Sequence, residues 1–233
     1  MPYLNSKWEY MLKLDGDFVL EKNCLIEMIN LSKKIKEPSM IGGKVYYYKE
    51  RNKIHAIGSK LSPFFAIAKG VGVNKIEKNM YNSVMKIDAL NGCMFLIPKI
   101  IYEKVGWFDN DYFLYYDDHE IMFKALKKGY NNYFCPTAIA YHDTLTGTKE
   151  KYSNKVWLYY STRSSFLFLL KNFSFFSFDF FCYFFAHNIK FIWGILFIFL
   201  YSKKNNVFYN LSSYFLGYYH GIKRRGGYYE FKN

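Results

Sequence analysis

Residues 85–142 read MKIDALNGCMFLIPKIIYEKVGWFDNDYFLYYDDHEIMFKALKKGYNNYFCPTAIAYH, and the order of elements in this stretch decides the fold class. Met85 to Ile97 has the apolar content of a strand broken at Asn91-Gly92, and Pro98 opens a helix from about Lys99 to Val105. The loop GWFDNDYFLYY (106–116) leads to a second helix, about Asp118 to Lys128, which Gly129 can close. A last strand, about 130–135, is expected to stop at Pro136, ahead of a segment ending at His142. Strands alternating with helices predict an α/β layer rather than an all-β barrel.

The same alternation continues upstream. WEYMLKL (8–14) reads as a strand that Asp15-Gly16-Asp17 ends. From about Glu21 to Lys36, Leu25, Met28 and Ile29 recur at helical spacing until Pro38 stops the pattern. Residues 40–48 read as a second strand, and 52–80, with Pro63, as loops and minor strands. This α/β region is assigned to residues 1–150, and a different region to 151–233.

Charge and composition separate the two. Residues 1–150 hold 21 basic and 17 acidic side chains, whereas 151–233 hold 11 and 2. Over the whole chain, 51% hydrophobic and 22% aromatic residues exclude disorder, collagen and a small disulfide scaffold. Four scattered cysteines, Cys24, Cys93, Cys135 and Cys182, without CxxC spacing fit reduced, buried thiols. Met1 to Lys7 is polar and carries no secretory pattern.

Between Ser164 and Tyr201, 16 of 38 residues are Phe, Tyr or Trp, and only Lys171, Asp179 and Lys190 are charged. Residues 180–201 are long enough to span a bilayer, but His187, Asn188 and Lys190 at their middle make spanning costly. Aromatic, basic helices lying in a membrane interface explain the same residues, with Lys203, Lys204 and Lys223-Arg224-Arg225 toward anionic lipid. A buried helical hairpin is the alternative. The basic excess accompanies apolar helices rather than a nucleic-acid motif, so no nucleic-acid partner is expected.

Three groups of polar residues lie at element ends, where α/β folds place their chemistry. Asp15-Gly16-Asp17 can face a divalent cation and its phosphate ligands, or be a plain turn. Asp117-Asp118-His119-Glu120 opens a helix: acids belong there for capping, yet one could also take a proton from an alcohol. His142, alone in sequence, becomes a ligand candidate if it meets Asp17 on one metal.

Taken together, LDGDF and residues 88–142 resemble the second half of a family-2 glycosyltransferase with the GT-A fold, rhamnosyltransferase-like members above all. The matching pieces are Asp15-x-Asp17, Asn91-Gly92-Cys93, the stretch from Gly106 to Gly129, and Pro136 to His142. YYSTRSS (Tyr159 to Ser165) and GYYHGIKRRGG (Gly217 to Gly227) resemble the family's closing segments. The resemblance implies a partial GT-A-like sheet followed by a membrane-associated helical tail at the cytoplasmic face. It implies inverting, metal-dependent transfer from a nucleotide-sugar donor to a glycan or lipid-linked acceptor.

It also implies roles. Asp17 and His142 would hold Mg²⁺ or Mn²⁺, Asp15 would reach the ribose or sugar, and Gly92 would lie against the donor. Asp118, beside Asp117, would be the general base. The sequence departs from the family pattern at Asp117, Glu120, Lys124 and Ser164. In the family, strands and helices upstream of the DxD build the nucleotide pocket, whereas 14 residues precede Asp15 here. The resemblance would also put the 8–14 strand inside a parallel sheet. A second polypeptide supplying the nucleotide-binding half, or a non-catalytic remnant, is therefore the alternative expectation.

Overall fold

A computed structural model describes residues 7–62, 67–143 and 154–231. Pro63 and the expected division at 150/151 lie outside them. The described residues form a mixed α/β structure of ten strands and six α-helices, in two compact units.

The first unit comprises residues 7–61, 68–107 and 121–143. In chain order it holds β1 (Tyr10–Leu14), β2 (Phe18–Leu20), α1 (Cys24–Lys34), β3 (Ser39–Tyr47) and β4 (Ile54–Ala56). Next come β5 (Gly58–Ser62), β6 (Ile67–Val71), β7 (Met85–Lys86), β8 (Ala89–Leu90), β9 (Met94–Pro98) and α2 (Lys99–Val105). The chain ends this unit with most of α3 (Asp117–Lys127) and with β10 (Asn131–His142). A seven-stranded sheet runs β1-β9-β3-β10-β2, with β4 on β3 and β7 on β10; a smaller sheet runs β6-β5-β8.

β3 is buried over eight of its nine residues, as a strand covered on both faces must be. Against it, α1 buries Cys24 and Met28, four apart on one helix face, among Ile41, Val45, Met94, Leu96 and Ala140. Burial pushes the Cys24 thiol up to about 12, so it stays an inert apolar side chain. At the far end of α3, Gly129 takes φ +84° and its N–H bonds to Leu126 O, while Tyr130 N–H reaches Ala125 O, closing the helix as expected.

Two expectations are corrected. The strand at 8–14 does not lie inside a parallel sheet: β1 is an edge strand paired antiparallel with β9, from Tyr10↔Pro98 to Leu14↔Met94. The pairing follows from the turn at Asn91–Cys93, where Cys93 O accepts the Asp15 N–H at 3.0 Å and joins the two strand ends. Second, the last strand does not stop at Pro136 but runs unbroken to His142, parallel to β3. Its register shifts between Cys135 and Ile139, so the missing proline N–H falls in a bulge and removes no ladder bond. The bulge presses on β3 at Gly43, where a β-carbon would come within 2.3 Å of Ala138 O.

The second unit comprises mainly residues 108–120 and 154–231. It holds the start of α3, then α4 (Lys155–Asn172), α5 (Phe178–Tyr201) and α6 (Val207–Ile222), with a 3₁₀ turn at Lys204–Asn206. Asn154 Oδ1 caps α4 by accepting from Val156 and Trp157, and Ser177 Oγ caps α5 by accepting from Phe180. α4 is buried from Leu158 to Tyr160 and from Thr162 to Leu169. α6 approaches it through small residues, and a β-carbon at Gly217 would sit 2.4 Å from Tyr159 O. The aromatic run is thus not uniformly displayed: α4 buries most of its share, while Phe175 and Phe176 in the connection after it, and much of α5 and α6, are exposed. Phe181, Phe185, Trp193, Phe199, Phe208 and Tyr219 are exposed, and α5 is long and apolar enough to cross a membrane.

Candidate functional site

In the first unit, the chain leaves β1 at Leu14, turns through Asp15-Gly16-Asp17, and enters β2, which pairs with β10. The antiparallel register sets Phe18 opposite His142, and Asp143 N–H donates to Asp17 O at 2.9 Å. These contacts bring together side chains 125 residues apart: His142 Nε2 lies 3.0 Å from Asp17 Oδ2. The Phe18 ring stacks on the imidazole at 4.4 Å and 25° and so fixes its plane. Asp17 is about half exposed while His142 is only 12% exposed, so a ligand can reach the carboxylate while the imidazole is held in place.

Asp15 points elsewhere. Its carboxylate pairs with Lys13, two residues back on β1. Through its backbone bond to Cys93 O it also touches the turn that contains Gly92. That turn is an Asx turn, in which Asn91 Oδ1 accepts the Cys93 N–H at 3.1 Å. Asp15 thus adjoins the turn that holds Gly92, through its bond to Cys93 O.

Among the described residues, no group of three or more His, Cys, Asp or Glu side chains is arranged to hold a metal ion. Asp17 and His142 offer one carboxylate and one imidazole; the carboxylate, with phosphate oxygens and water, suits Mn²⁺ or Mg²⁺, and the imidazole favours Mn²⁺ of the two. The residues fit the metal as a two-ligand site.

In the second unit, the loop before α3 is held at several points. Arg163 is fully buried on α4 and donates to Gly227 O and, at 3.2 Å, to Asp111 O, with its guanidinium over the Tyr160 ring at 4.7 Å. Ser164 Oγ donates to Leu114 O at 2.8 Å. Lys171 Nζ bridges Asp109 and Asp111. Burial alone would lower that ammonium, but the two carboxylates outweigh it and hold it above its usual value. Buried Glu120 accepts from Tyr112 at 2.8 Å and from Asn172. Burial, then Glu120, drives the Tyr112 phenol far above its ordinary range.

These anchors sustain a strained backbone. Tyr115 and Tyr116 both take left-handed conformations, φ 63° and 66°, immediately before Asp117. For bulky residues this costs about 1–3 kcal/mol each, and such strain collects at functional sites. Asp118, next in line, accepts at 2.8 Å from both the His119 N–H and His119 Nδ1. Burial would lower that imidazole, yet Asp118, and then Asp117, outweigh it and raise its pKa. The result is a carboxylate–imidazole pair at the start of α3, able to hold and move a proton.

The sequence therefore nominates Asp17 and His142 as a pair, and the structure brings them together. It places Asp15 and Gly92 at adjoining turns, and Asp117 and Asp118 in the second unit. Two residues with contacts in these clusters were given no role from sequence. His119 carries no signal beyond its neighbours. His55, on β4, faces His142 only because β4 pairs with β3, and no spacing announces it.

No protein-family model matches the chain, and no protein of curated function matches it. Among solved structures it is similar to GalNAc-T7, described with UDP, GalNAc and Mn²⁺, at 15% identity and a TM-score of 0.44. The likeness covers 58% of this chain and 28% of that one, so the chain spans little more than a quarter of that protein's length.

Proposed function

We propose that the chain is a GT-A-like glycosyltransferase of the rhamnosyltransferase-like, family-2 kind. In this reading it moves a sugar from a nucleotide-sugar donor to a glycan or lipid-linked acceptor with inversion. The observation that carries the reading is the meeting of Asp17 with His142 at 3.0 Å, which assembles the two metal-ligand candidates of the motif from opposite ends of the first unit. Asp17 and His142 would hold Mn²⁺ or Mg²⁺, which when bound stabilises charge on a leaving diphosphate. Asp15, with the Gly92 turn beside it, would meet the sugar or ribose of the donor. Asp118 would take the proton of the acceptor hydroxyl as its oxygen bonds to the sugar's anomeric carbon and the bond to diphosphate breaks. His119, held by Asp118, would orient that carboxylate. The exposed aromatic side chains of α5 and α6, with Lys203, Lys204 and Lys223 to Arg225 at their ends, support docking on an anionic membrane at the cytoplasmic face.

One observation favours a second reading, that of a partner subunit. β1 pairs only with β9 among the described residues, so its outer edge is open to a strand from another polypeptide. A panel of nucleotide sugars, assayed with Mn²⁺ for release of nucleoside diphosphate, tests the first reading. Release that Asp17→Ala abolishes supports it. Its absence for every donor, with the chain isolated in complex with another polypeptide, supports the second.

A further inference from the structure

The pair of Asp17 and His142 has a third member. His55 Nε2 lies 3.3 Å from His142 Nδ1, on the opposite side of the imidazole from Asp17. The two rings meet edge to face, with centroids 4.5 Å apart and planes at 88°, so His55 Nε2 and His142 Nδ1 come within hydrogen-bond reach. His55 is itself fixed from outside by the Tyr47 ring, edge to face at 5.0 Å. His142 is thus clamped by Phe18 on its face, Asp17 at Nε2 and His55 at Nδ1.

We propose that His55 is the positioning residue of this site: it bonds His142 Nδ1 and so holds Nε2 on a divalent cation shared with Asp17. The inference rests on the metal reading above and adds a residue to it. His55 cannot be a third ligand to the same ion, because it faces the nitrogen that points away from Asp17. A histidine that ligates through Nε2 must carry its proton on Nδ1, and a partner accepting that proton fixes both tautomer and ring orientation. His55 is suited to the place because a neutral imidazole either donates or accepts at Nε2. It can donate to Nδ1 when His142 gives its Nε2–H to Asp17, and accept from Nδ1–H when Nε2 is a ligand. Phenylalanine would keep the ring and lose the bond. Glutamine, whose amide both donates and accepts, would keep the bond and lose the ring.

The test is Mn²⁺ affinity of the full chain with inorganic pyrophosphate as the diphosphate, read from the paramagnetic resonance signal of free Mn²⁺. His55→Phe is expected to weaken binding about 10-fold or more, within the range for partners that orient a ligating histidine, while His55→Gln stays within about threefold of wild type. If the Phe variant does not fold, His55→Ser, too short to reach His142, takes its place with the same expected loss. Unchanged affinity in His55→Phe, with binding still lost in Asp17→Ala, overturns the role of His55 and leaves the metal pair standing. Equal losses in His55→Gln and His55→Phe also overturn it, since packing would then be the cause. Binding that Asp17→Ala does not alter overturns the metal reading and this inference with it.

Discussion

Arg163→Ala should destabilise the second unit by about 1–4 kcal/mol, chiefly by releasing the loop that presents Asp117 and Asp118. The guanidinium is fully buried, and its bonds go to the carbonyls of Gly227 and Asp111 while it lies over Tyr160 at 4.7 Å. Asp111 O keeps the Gly227 N–H at 2.9 Å, so Gly227 O is the carbonyl that loses its side-chain donor, at about 1–3 kcal/mol, and the lost cation–ring contact adds about 0.5–2 kcal/mol. Relief from burying a charge offsets part of this loss, which sets the net figure below the sum. Urea unfolding followed by far-ultraviolet circular dichroism should show a midpoint lower by roughly 1–3 M at a typical denaturant slope. Amide exchange in residues 108–120 should quicken more than in β3. Arg163→Lys should fall between the two, because an ammonium cannot reach both carbonyls in one plane. An alanine variant with unchanged midpoint and unchanged exchange at 108–120 would refute the view that Arg163 holds the loop.

Three further outcomes are expected. Asp118→Asn should cut turnover by about 10²-fold or more with little loss of donor binding, and Asp117→Asn should cost less; a larger loss at Asp117 would show that the base was misassigned. The stability contributed by the His119–Asp118 pair should be fully present below the unfolded imidazole value near 6.5 and be lost as pH rises through the higher folded value. Unfolding of wild type and His119→Gln across that interval should therefore converge with rising pH, and parallel curves would contradict the pair. Finally, Trp193→Glu with Phe199→Glu, both at exposed sites, should abolish flotation with phosphatidylserine vesicles while leaving folding intact, whereas undiminished flotation would place the lipid contact elsewhere.

The elements of the first unit were legible where periodicity is long: α1, α3 and β3 fall close to their expected positions because eight or more residues carry each pattern. β2 was not, since three residues hold no period, and yet its register against β10 creates the meeting of Asp17 with His142. Pro136 misled for a local reason: its missing N–H argues against a strand interior, and only the long-range bulge opposite Gly43 accommodates it. The turn at Tyr115 and Tyr116 opposes its own local propensity, because aromatic residues avoid positive φ, and only the tertiary anchors on Leu114 and Asp111 hold it. In the tail, helices were readable from composition, but which helix would be buried was not. That was decided by Gly217 and Gly221, which let α6 reach the backbone of α4.

Calorimetry can show whether Asp17 and His142 act as one metal-diphosphate site. Mn²⁺ together with UDP, GDP or dTDP would be titrated into wild type, Asp17→Ala, His142→Ala and the double variant. If Asp17 and His142 do so, wild type should bind at least one nucleotide saturably, each single variant should lose nearly all binding, and the double variant should lose no more, because both side chains hold the same ion. Nucleotide binding with Mn²⁺ that is equal in all four proteins would contradict a shared site.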